Sequence, residues 1–335
     1  MSRRRSLWLL PAAVLATTAI AGAPVLAQDD GEAMTEVPDT LVMGFVPSRE
    51  ADVLVTNIDP LVDYLTEALG MPVEGVVTQG YTGLVTAMET GSAHVGAFGS
   101  FGMVQAMDRA GVVPILQTQR DGEVTYHTQW FTNQPDKYCT TDLAENKDGF
   151  LTCNGLEVLE TDAGYTFGPK GEDAIAKIKA GTTVSFTTPT SGSGYVFPAL
   201  QLINLAGLDP VDDVEESFAG GHDNSILAVC NGDAEVGVSF DDARTIIQEG
   251  DCDDMSKVVS FAFSDEIPSD GIAVAGSLPA ELQQAISDAL VDYSLTEEGA
   301  AVLDAVYEIE TYGIADAEAY DVVRDAAEKL GIVEE

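Results

Sequence analysis

The chain has 335 residues, 45% of them hydrophobic, and carries a formal net charge of −41 at pH 7. Because 56 acidic residues face only 15 lysines and arginines, nucleic acid and anionic membrane surfaces are excluded as natural partners. The length exceeds that of a usual single hydrophobic core, so two lobes are expected.

The first 27 residues predict a secretory signal peptide. Three arginines beginning at Arg3 precede an apolar stretch, Leu7–Ile20, and small residues end the segment at Ala27, where cleavage is expected. Removing the segment leaves a net charge of about −44, because it contains three arginines and no acid. No cysteine lies near the cleavage point, so no lipid anchor is predicted. A periplasmic or extracellular location follows, and the twin-arginine export route stays open.

A polar, acidic leader is predicted over residues 28–39, and strands then alternate with helices. The predicted elements are a strand at Leu41–Val46, a helix at Pro60–Leu69, a strand at Val73–Val77, a helix at Tyr81–Glu89, a strand at Val95–Phe98, a helix at Met103–Arg109 and a strand at Val113–Gln117. This alternation predicts a parallel sheet covered on both faces.

The middle of the chain interrupts this pattern. Residues 134–170 are rich in Asn, Asp, Gly and Thr, which predicts a long surface excursion. Alternation then resumes and the chain ends in helices. The predicted elements are a strand at Val184–Thr187, helices at Tyr195–Leu205 and Ser225–Val229, a strand at Val236–Phe240, a helix at Ala243–Gln248, a strand at Val258–Phe263, and helices at Ala280–Ser294, Glu297–Val306 and Asp316–Leu330.

Four cysteines in an exported chain predict two disulfides. Proximity along the chain favours pairing Cys139 with Cys153 and Cys230 with Cys252. Metal ligation is the alternative, but no C-x-x-C spacing occurs and the three histidines are scattered. No metal and no cofactor are therefore predicted.

The segment Thr187–Pro198 (TTPTSGSGYVFP) is the clearest candidate site. A strand ends there in hydroxyls and glycines, and a helix follows at once. Such a turn aims backbone N–H groups, hydroxyl donors and the positive end of a helix dipole at one point, which suits an anion. An ordinary Ser/Thr-capped helix is the alternative reading. Two exported α/β lobes with such turns indicate a ligand cleft between them.

Four stretches together resemble the substrate-binding proteins of phosphate, phosphite and phosphonate ABC transporters, over nearly all of residues 40–330. They are PLVDYLTEALGMPVEGVVTQGYTGLVTAMETGSAHVGAFGS (60–100), TPTSGSGYVFP (188–198), GGHDNSILAVCNGDAEVGVSFDDA (220–243) and IPSDGIAV (267–274). The resemblance implies a two-lobed α/β periplasmic-binding-protein fold of type II. It also implies an extracytoplasmic component of an ABC importer that binds a phosphorus oxyanion between the lobes.

The resemblance also implies a set of ligand-binding residues. These are Tyr81, Tyr126, Ser191, Gly192, Ser193, His222, Asp241, Asp242 and Asp270, with Ser100 as a further donor. The chain departs from the family at Gly192, where threonine is common, and at Phe101–Met103, where a tyrosine is common. These departures affect the expected identity of the ligand's substituent more than that of its headgroup.

Donors and carboxylates in one cleft fit a particular kind of ligand. A tetrahedral oxyanion needs the hydroxyls and the N–H groups at Gly192–Tyr195. Asp241, Asp242 or Asp270 would repel a bare dianion, so the ligand should carry a P–OH or an ammonium group. Sulfate carries neither and should be rejected.

Several residue roles and functions stay open from the sequence. Tyr81 and Tyr126 could be core residues, His222 could be a satisfied residue at a helix start, one of the paired aspartates could be a helix N-cap, and Asp270 could be a solvated turn residue. A different organic anion, or a sensory role, is an alternative function. Hydrolase chemistry is disfavoured because Ser191–Gly194 lacks the first glycine of a nucleophile elbow.

The expected lobe boundaries follow from two predicted crossings, near Gln119–Tyr126 and Phe263–Asp270. Lobe 1 should comprise residues 40–122 and 268–335, and lobe 2 residues 123–267. The protein is expected to be a monomer whose macromolecular partner is a membrane permease.

Overall fold

The structure is a computed structural model that describes residues 37–48, 51–120, 122–158, 160–161, 164–165 and 171–332. Within these ranges the chain forms two mixed β-sheets flanked by helices. The predicted signal peptide and most of the predicted leader lie outside the described residues. No helix in the described part combines the length and the apolar character needed to cross a bilayer.

The strands are numbered along the chain. They are β1 (Leu41–Phe45), β2 (Val73–Val77), β3 (Val95–Phe98), β4 (Val112–Gln119), β5 (Thr125–Tyr126), β6 (Thr128–Thr132), β7 (Ala144–Glu145), β8 (Leu151–Thr152), β9 (Glu160–Thr161), β10 (Gly164–Tyr165), β11 (Thr183–Phe186), β12 (Glu215–Phe218), β13 (Val236–Phe240), β14 (Val259–Phe263), β15 (Ile267–Pro268), β16 (Gly271–Ala275) and β17 (Thr311–Ile314).

The α-helices follow the same convention. They are α1 (Ala51–Leu69), α2 (Tyr81–Glu89), α3 (Ser100–Ala110), α4 (Pro135–Tyr138), α5 (Glu172–Ile175), α6 (Phe197–Gln201), α7 (His222–Asn231), α8 (Ala280–Ser294), α9 (Glu297–Tyr307) and α10 (Asp321–Leu330). One turn of π-helix precedes α6 and another follows it, so a continuous helical segment runs from Gly192 to Ala206.

The first sheet has six strands in the order β17-β4-β16-β3-β1-β2. Strand β1 pairs in parallel with β2 and β3, whereas β16 and β17 pair antiparallel with their neighbours. The expectation of a parallel sheet is therefore wrong for two of its six strands, β16 and β17, which run opposite to the other four. The antiparallel strands come from the far end of the chain, and the local alternation that gave the prediction carries no information about them.

The second sheet has seven strands in the order β12-β11-β13-β6-β14-β8-β7. Its parallel part, β12-β11-β13, meets the antiparallel strand β6, which follows the first crossing. Strands β7 and β8 belong to the predicted surface excursion, yet β8 pairs with β14 and extends the sheet. The excursion also buries Tyr138 completely, so part of it belongs to the core.

Three predicted helices differ most from the structure. Helix α1 starts at Ala51 and runs through Pro60, the residue at which the predicted helix begins. The predicted helix Ala243–Gln248 is only a 3₁₀ turn, Ala243–Ile246. The start of the last helix is likewise a 3₁₀ turn, Ala317–Tyr320, before α10 begins. Helices α2 and α8 have the predicted bounds.

The sheets lie in the two halves of the predicted lobe division. All strands of the first sheet fall within residues 41–119 and 271–314, and those of the second within 128–263. Strands β5 and β15, one from each crossing, pair antiparallel with Tyr126 opposite Ile267. The lobe boundaries at residues 122 and 268 remain a prediction.

Apolar side chains fill both sides of each sheet, and one cluster joins the two sheets. That cluster contains Val323 and Ala327 of α10 and Phe101 of α3, together with Val196 and Phe197 from the helix 192–206. Helix α10 packs against α3, which adjoins the first sheet, and against the helix 192–206, which adjoins the second.

The structure pairs the cysteines as the sequence predicts. Cys139 bonds to Cys153 across 14 residues, and Cys230 bonds to Cys252 across 22 residues. The first bond ties the end of α4 to the segment that follows β8. The second ties the end of α7 to the loop before β14.

Replacing both Cys139 and Cys153 by alanine should lower the free energy of unfolding by about 3 kcal/mol, the loss expected in the chain-entropy account for a loop of this length. Urea unfolding followed by circular dichroism measures it. A variant as stable as the wild type would show that this bond constrains the unfolded chain little.

Candidate functional site

A cavity of about 70 Å³ lies between the two sheets. This volume holds roughly five water-sized groups, which is the size of a tetrahedral oxyanion. Its polar lining comes from loops at strand ends and from helix starts in both halves of the chain. The polar lining residues are Ser48, Tyr81, Thr118, Arg120, Tyr126, Ser191, Ser193, His222, Asp241, Asp270, Tyr307, Glu308 and Tyr312.

The serine turn opens the helix 192–206 at the cavity wall. Ser191 is the N-cap, and its Oγ accepts a hydrogen bond from the N–H of Gly194 at 3.1 Å. The N–H of Tyr195 donates to the carbonyl of Ser191. Two of the four predicted backbone donors are therefore used inside the helix. The N–H groups of Gly192 and Ser193 have no hydrogen-bond acceptor within the described part of the chain, and both residues line the cavity.

Gly192 allows α3 to approach the serine turn closely. A Cβ at Gly192 would lie 2.2 Å from Ser100 Oγ and 3.4 Å from the Tyr126 hydroxyl. Ser100 itself is fully buried, and its Oγ lies beside the Tyr126 hydroxyl. It does not line the cavity, so its predicted role as a donor to the ligand stays a prediction.

Two tyrosines from the first half of the chain face the serine turn. Tyr81 begins α2, and Tyr126 ends β5 in the first crossing. Burial, followed by the negative charge of Asp270, raises the pKa of both phenols far above the ordinary value. Both hydroxyls therefore keep their proton at any physiological pH and can donate to an oxyanion.

His222 begins α7 and connects the two sides of the cavity. Its backbone N–H donates to the carbonyl of Ser48 at 3.2 Å, and its ring Nδ1 lies 2.8 Å from Ser239 Oγ. The other ring nitrogen, Nε2, lies 3.5 Å from Ser191 Oγ. The histidine thus fixes the position of the N-cap serine.

The adjacent aspartates have different environments. Asp241 lines the cavity, where its carboxylate accepts from the backbone N–H of His127 at 2.8 Å and lies 3.2 Å from His127 Nδ1. Asp242 lies outside the lining and caps the following 3₁₀ turn through the N–H of Arg244. Asp242 thus stands apart from the other predicted ligand residues, and its role in binding stays a prediction.

The guanidinium of Arg244 explains why Asp242 points away from the cavity. Arg244 is buried, and its Nε and Nη2 both donate to the Asp242 carboxylate, at 2.9 and 2.5 Å. Its Nη1 donates to the carbonyls of Leu151 and Val258. A buried ion pair in which all three guanidinium nitrogens donate hydrogen bonds is a structural element of the second sheet.

Asp270 follows the second crossing and lies beside an arginine. Its Oδ2 is 3.2 Å from Arg120 Nη2. Its Oδ1 lies above Gly99, where an added Cβ would be 3.7 Å from that oxygen and 3.7 Å from the Tyr81 ring. The carboxylate therefore stands in the cavity wall, and its role toward a ligand stays a prediction.

Sequence reasoning missed Arg120, Ser48, Tyr307 and Glu308. Arg120 could have been predicted from the sequence as a site residue. It is one of few basic residues and directly precedes the D-G turn before Tyr126. Tyr307 and Glu308 end α9, and their approach to the cavity depends on how that helix packs. No local pattern marks them.

Histidine, cysteine and carboxylate side chains in the described ranges form no group of three that could hold a metal ion. What the site offers instead is a set of neutral donors with carboxylates beside them. Such a set suits an oxyanion that also carries a proton.

The profile of a known protein family matches residues 43–320, and its description is "ABC transporter, phosphonate, periplasmic substrate-binding protein". The chain belongs to this family. The predicted recognition is thereby confirmed.

Individual relatives agree with this assignment. The phosphate-import protein PhnD of Mycolicibacterium smegmatis is 28% identical over 227 residues, which cover 64% of this chain and 60% of that protein. A methylphosphonate complex of PhnD1 from Prochlorococcus marinus superposes with a TM-score of 0.70 at 17% identity, covering 89% of this chain and 100% of the other. A binding-protein component of an ABC phosphonate transporter from Pseudomonas aeruginosa gives 0.68 at 17% identity, covering 87% and 86%. These solved structures confirm the two-lobed α/β fold.

Changing Asp242 to asparagine should destabilise the protein by about 3–5 kcal/mol, because it leaves the buried Arg244 charge without its partner. Thermal and urea unfolding measure the loss, and ligand affinity of the folded protein should not change. The matched variant Asp241→Asn should show the reverse pattern, with altered affinity and a smaller loss of stability. If only Asp242→Asn changed the ligand affinity, Asp242 and not Asp241 would be the residue that binds the ligand.

Proposed function

We propose that the protein is an exported solute-binding protein that delivers a phosphorus oxyanion to an ABC permease, and that it catalyses no reaction. The observation that carries the proposal is the convergence of donors from both halves of the chain on one small cavity. Ser191, Ser193 and the free N–H groups approach from one side, and the protonated phenols of Tyr81 and Tyr126 from the other. The proposed location is periplasmic or extracellular, and the proposed state is monomeric.

The carboxylates support a ligand that brings a proton. Asp270 Oδ2 is engaged by Arg120, while Oδ1 stays on the cavity side beside Tyr81. A P–OH group can donate to such an oxygen, whereas sulfate has no donor at neutral pH. Phosphate, phosphite and phosphonates that keep one acidic proton therefore form the proposed ligand class.

Isothermal titration calorimetry with phosphate, phosphite, methylphosphonate, 2-aminoethylphosphonate and sulfate tests the proposal directly. At least one of the phosphorus compounds should bind with clear preference over sulfate. Binding of none of them, or equal binding of sulfate, would contradict it.

Replacing Ser193 by alanine should weaken binding of the preferred ligand about ten- to hundredfold, because it removes a hydroxyl donor to a buried anion. Titration calorimetry measures the loss, and circular dichroism should be unchanged. Ser260→Ala is a matched control, since Ser260 is equally buried but lies in β14, outside the cavity lining. A loss within twofold for Ser193→Ala would show that this hydroxyl does not reach the ligand.

Changing Asp270 to asparagine should narrow the gap in affinity between the preferred ligand and sulfate. The change keeps the shape of the side chain, removes the charge that repels sulfate, and weakens the preferred ligand about tenfold at most. Competition titrations of wild type and variant against both anions give the ratio. An unchanged ratio would mean that Asp270 does not select the ligand.

A further inference from the structure

The cavity poses an electrostatic problem for an anion. Three carboxylates line it, from Asp241, Asp270 and Glu308, and Arg120 is the one lysine or arginine among the described lining residues. The whole chain adds a large negative field. An anion placed next to an unbalanced carboxylate in a partly desolvated cleft would be strongly repelled.

Two of the three carboxylates already have partners away from Arg120. Asp241 accepts two hydrogen bonds at His127, one from the backbone and one at the ring. Glu308 accepts a hydrogen bond from Thr245 Oγ1 at 2.9 Å, across the cleft. Asp270 is therefore the carboxylate whose negative charge is balanced by Arg120.

Three contacts hold the Arg120 guanidinium in place. Its Nη2 lies 3.2 Å from Asp270 Oδ2 and donates to the Tyr307 carbonyl at 2.9 Å, and its Nη1 donates to Thr118 Oγ1 at 3.2 Å. The Arg120 and Asp270 side chains are 23% and 31% exposed, so solvent only partly screens the pair. A charge fixed in this way is preorganised for whatever binds beside it.

We propose that Arg120 is the counter-charge of the ligand site: it balances the negative charge of Asp270, so that this carboxylate can accept a hydrogen bond from the P–OH group of the oxyanion without repelling the ligand. Arg120 then determines how much negative charge the ligand can carry. The inference rests on the proposed function and assigns a role that the serine turn and the tyrosines do not supply.

A purely structural role is the competing explanation. Arg120 joins the first crossing to Asp270 after the second crossing and to the end of α9, so under this explanation its loss only loosens the packing of the two crossings. The two explanations predict different changes in ligand affinity when Asp270 is also changed. If Arg120 is only a structural contact, Asp270→Asn does not restore the affinity that Arg120→Gln loses. If Arg120 is a counter-charge, Asp270→Asn restores part of that affinity.

The test is a double-mutant cycle with phosphate and methylphosphonate as probes, measured by titration calorimetry on wild type, Arg120→Gln, Asp270→Asn and the double variant. Arg120→Gln should weaken binding of both probes about ten- to hundredfold. In that background, adding Asp270→Asn should strengthen binding, although the same change weakens it in the wild type. Arg120→Lys, which keeps the charge, should stay within about fivefold of wild type.

Arg109→Gln is the matched control for net charge. Arg109 also pairs with a carboxylate, Glu89 at 2.8 Å, but it lies outside the cavity. It should leave the affinity unchanged. An Arg120→Gln affinity equal to wild type, or a double variant weaker than Arg120→Gln alone, would overturn the inference. Failure of the wild type to bind either probe would instead overturn the proposed function, and the inference with it.

Discussion

The pairing of the two crossings is the constraint on which the site depends. Strands β5 and β15 are short and antiparallel, and they place Tyr126 opposite Ile267 where the chain passes between the sheets. This pairing fixes Tyr126 and Asp270 relative to each other, although 144 residues separate them in the sequence. The serine turn and Tyr81 then face the same small volume from opposite sides.

The chemistry of the site reconciles an anionic ligand with an extremely acidic protein. Neutral donors, namely hydroxyls and helix N–H groups, attract an oxyanion locally without adding basic residues to the surface. Burial keeps Tyr81 and Tyr126 protonated, and so turns two ionisable side chains into permanent donors. The field of the surface acids is screened by salt, while the dipoles in the cavity act at contact distance.

The sequence predicted those features that short stretches of chain determine. Helix α2 has its predicted bounds because Gly80 and Gly91 mark both ends, and the serine turn was readable because hydroxyls and glycines directly precede a helix. Nearest-neighbour cysteine pairing was also correct. Each of these depends on contacts within a few tens of residues.

Features that depend on distant contacts could not be predicted. The antiparallel insertion of β16 between β3 and β4 joins segments far apart in sequence. Asp241 and Asp242 are chemically identical neighbours. Asp242 is held by the distant Asn146 and by Arg244, which is itself anchored on the distant Leu151 carbonyl. Arg120 acquires its partner Asp270 across 150 residues.

Helix α10 makes the contacts between the two halves of the molecule unequal in strength. Where it packs, the halves share buried apolar surface, including Val323, Ala327 and Phe197, which water cannot replace without a large loss. The halves also meet through hydrogen bonds such as Thr245 to Glu308 and His222 to Ser48, which water can replace at little cost. Any opening of the cavity should therefore break these hydrogen bonds before it exposes the apolar contacts of α10.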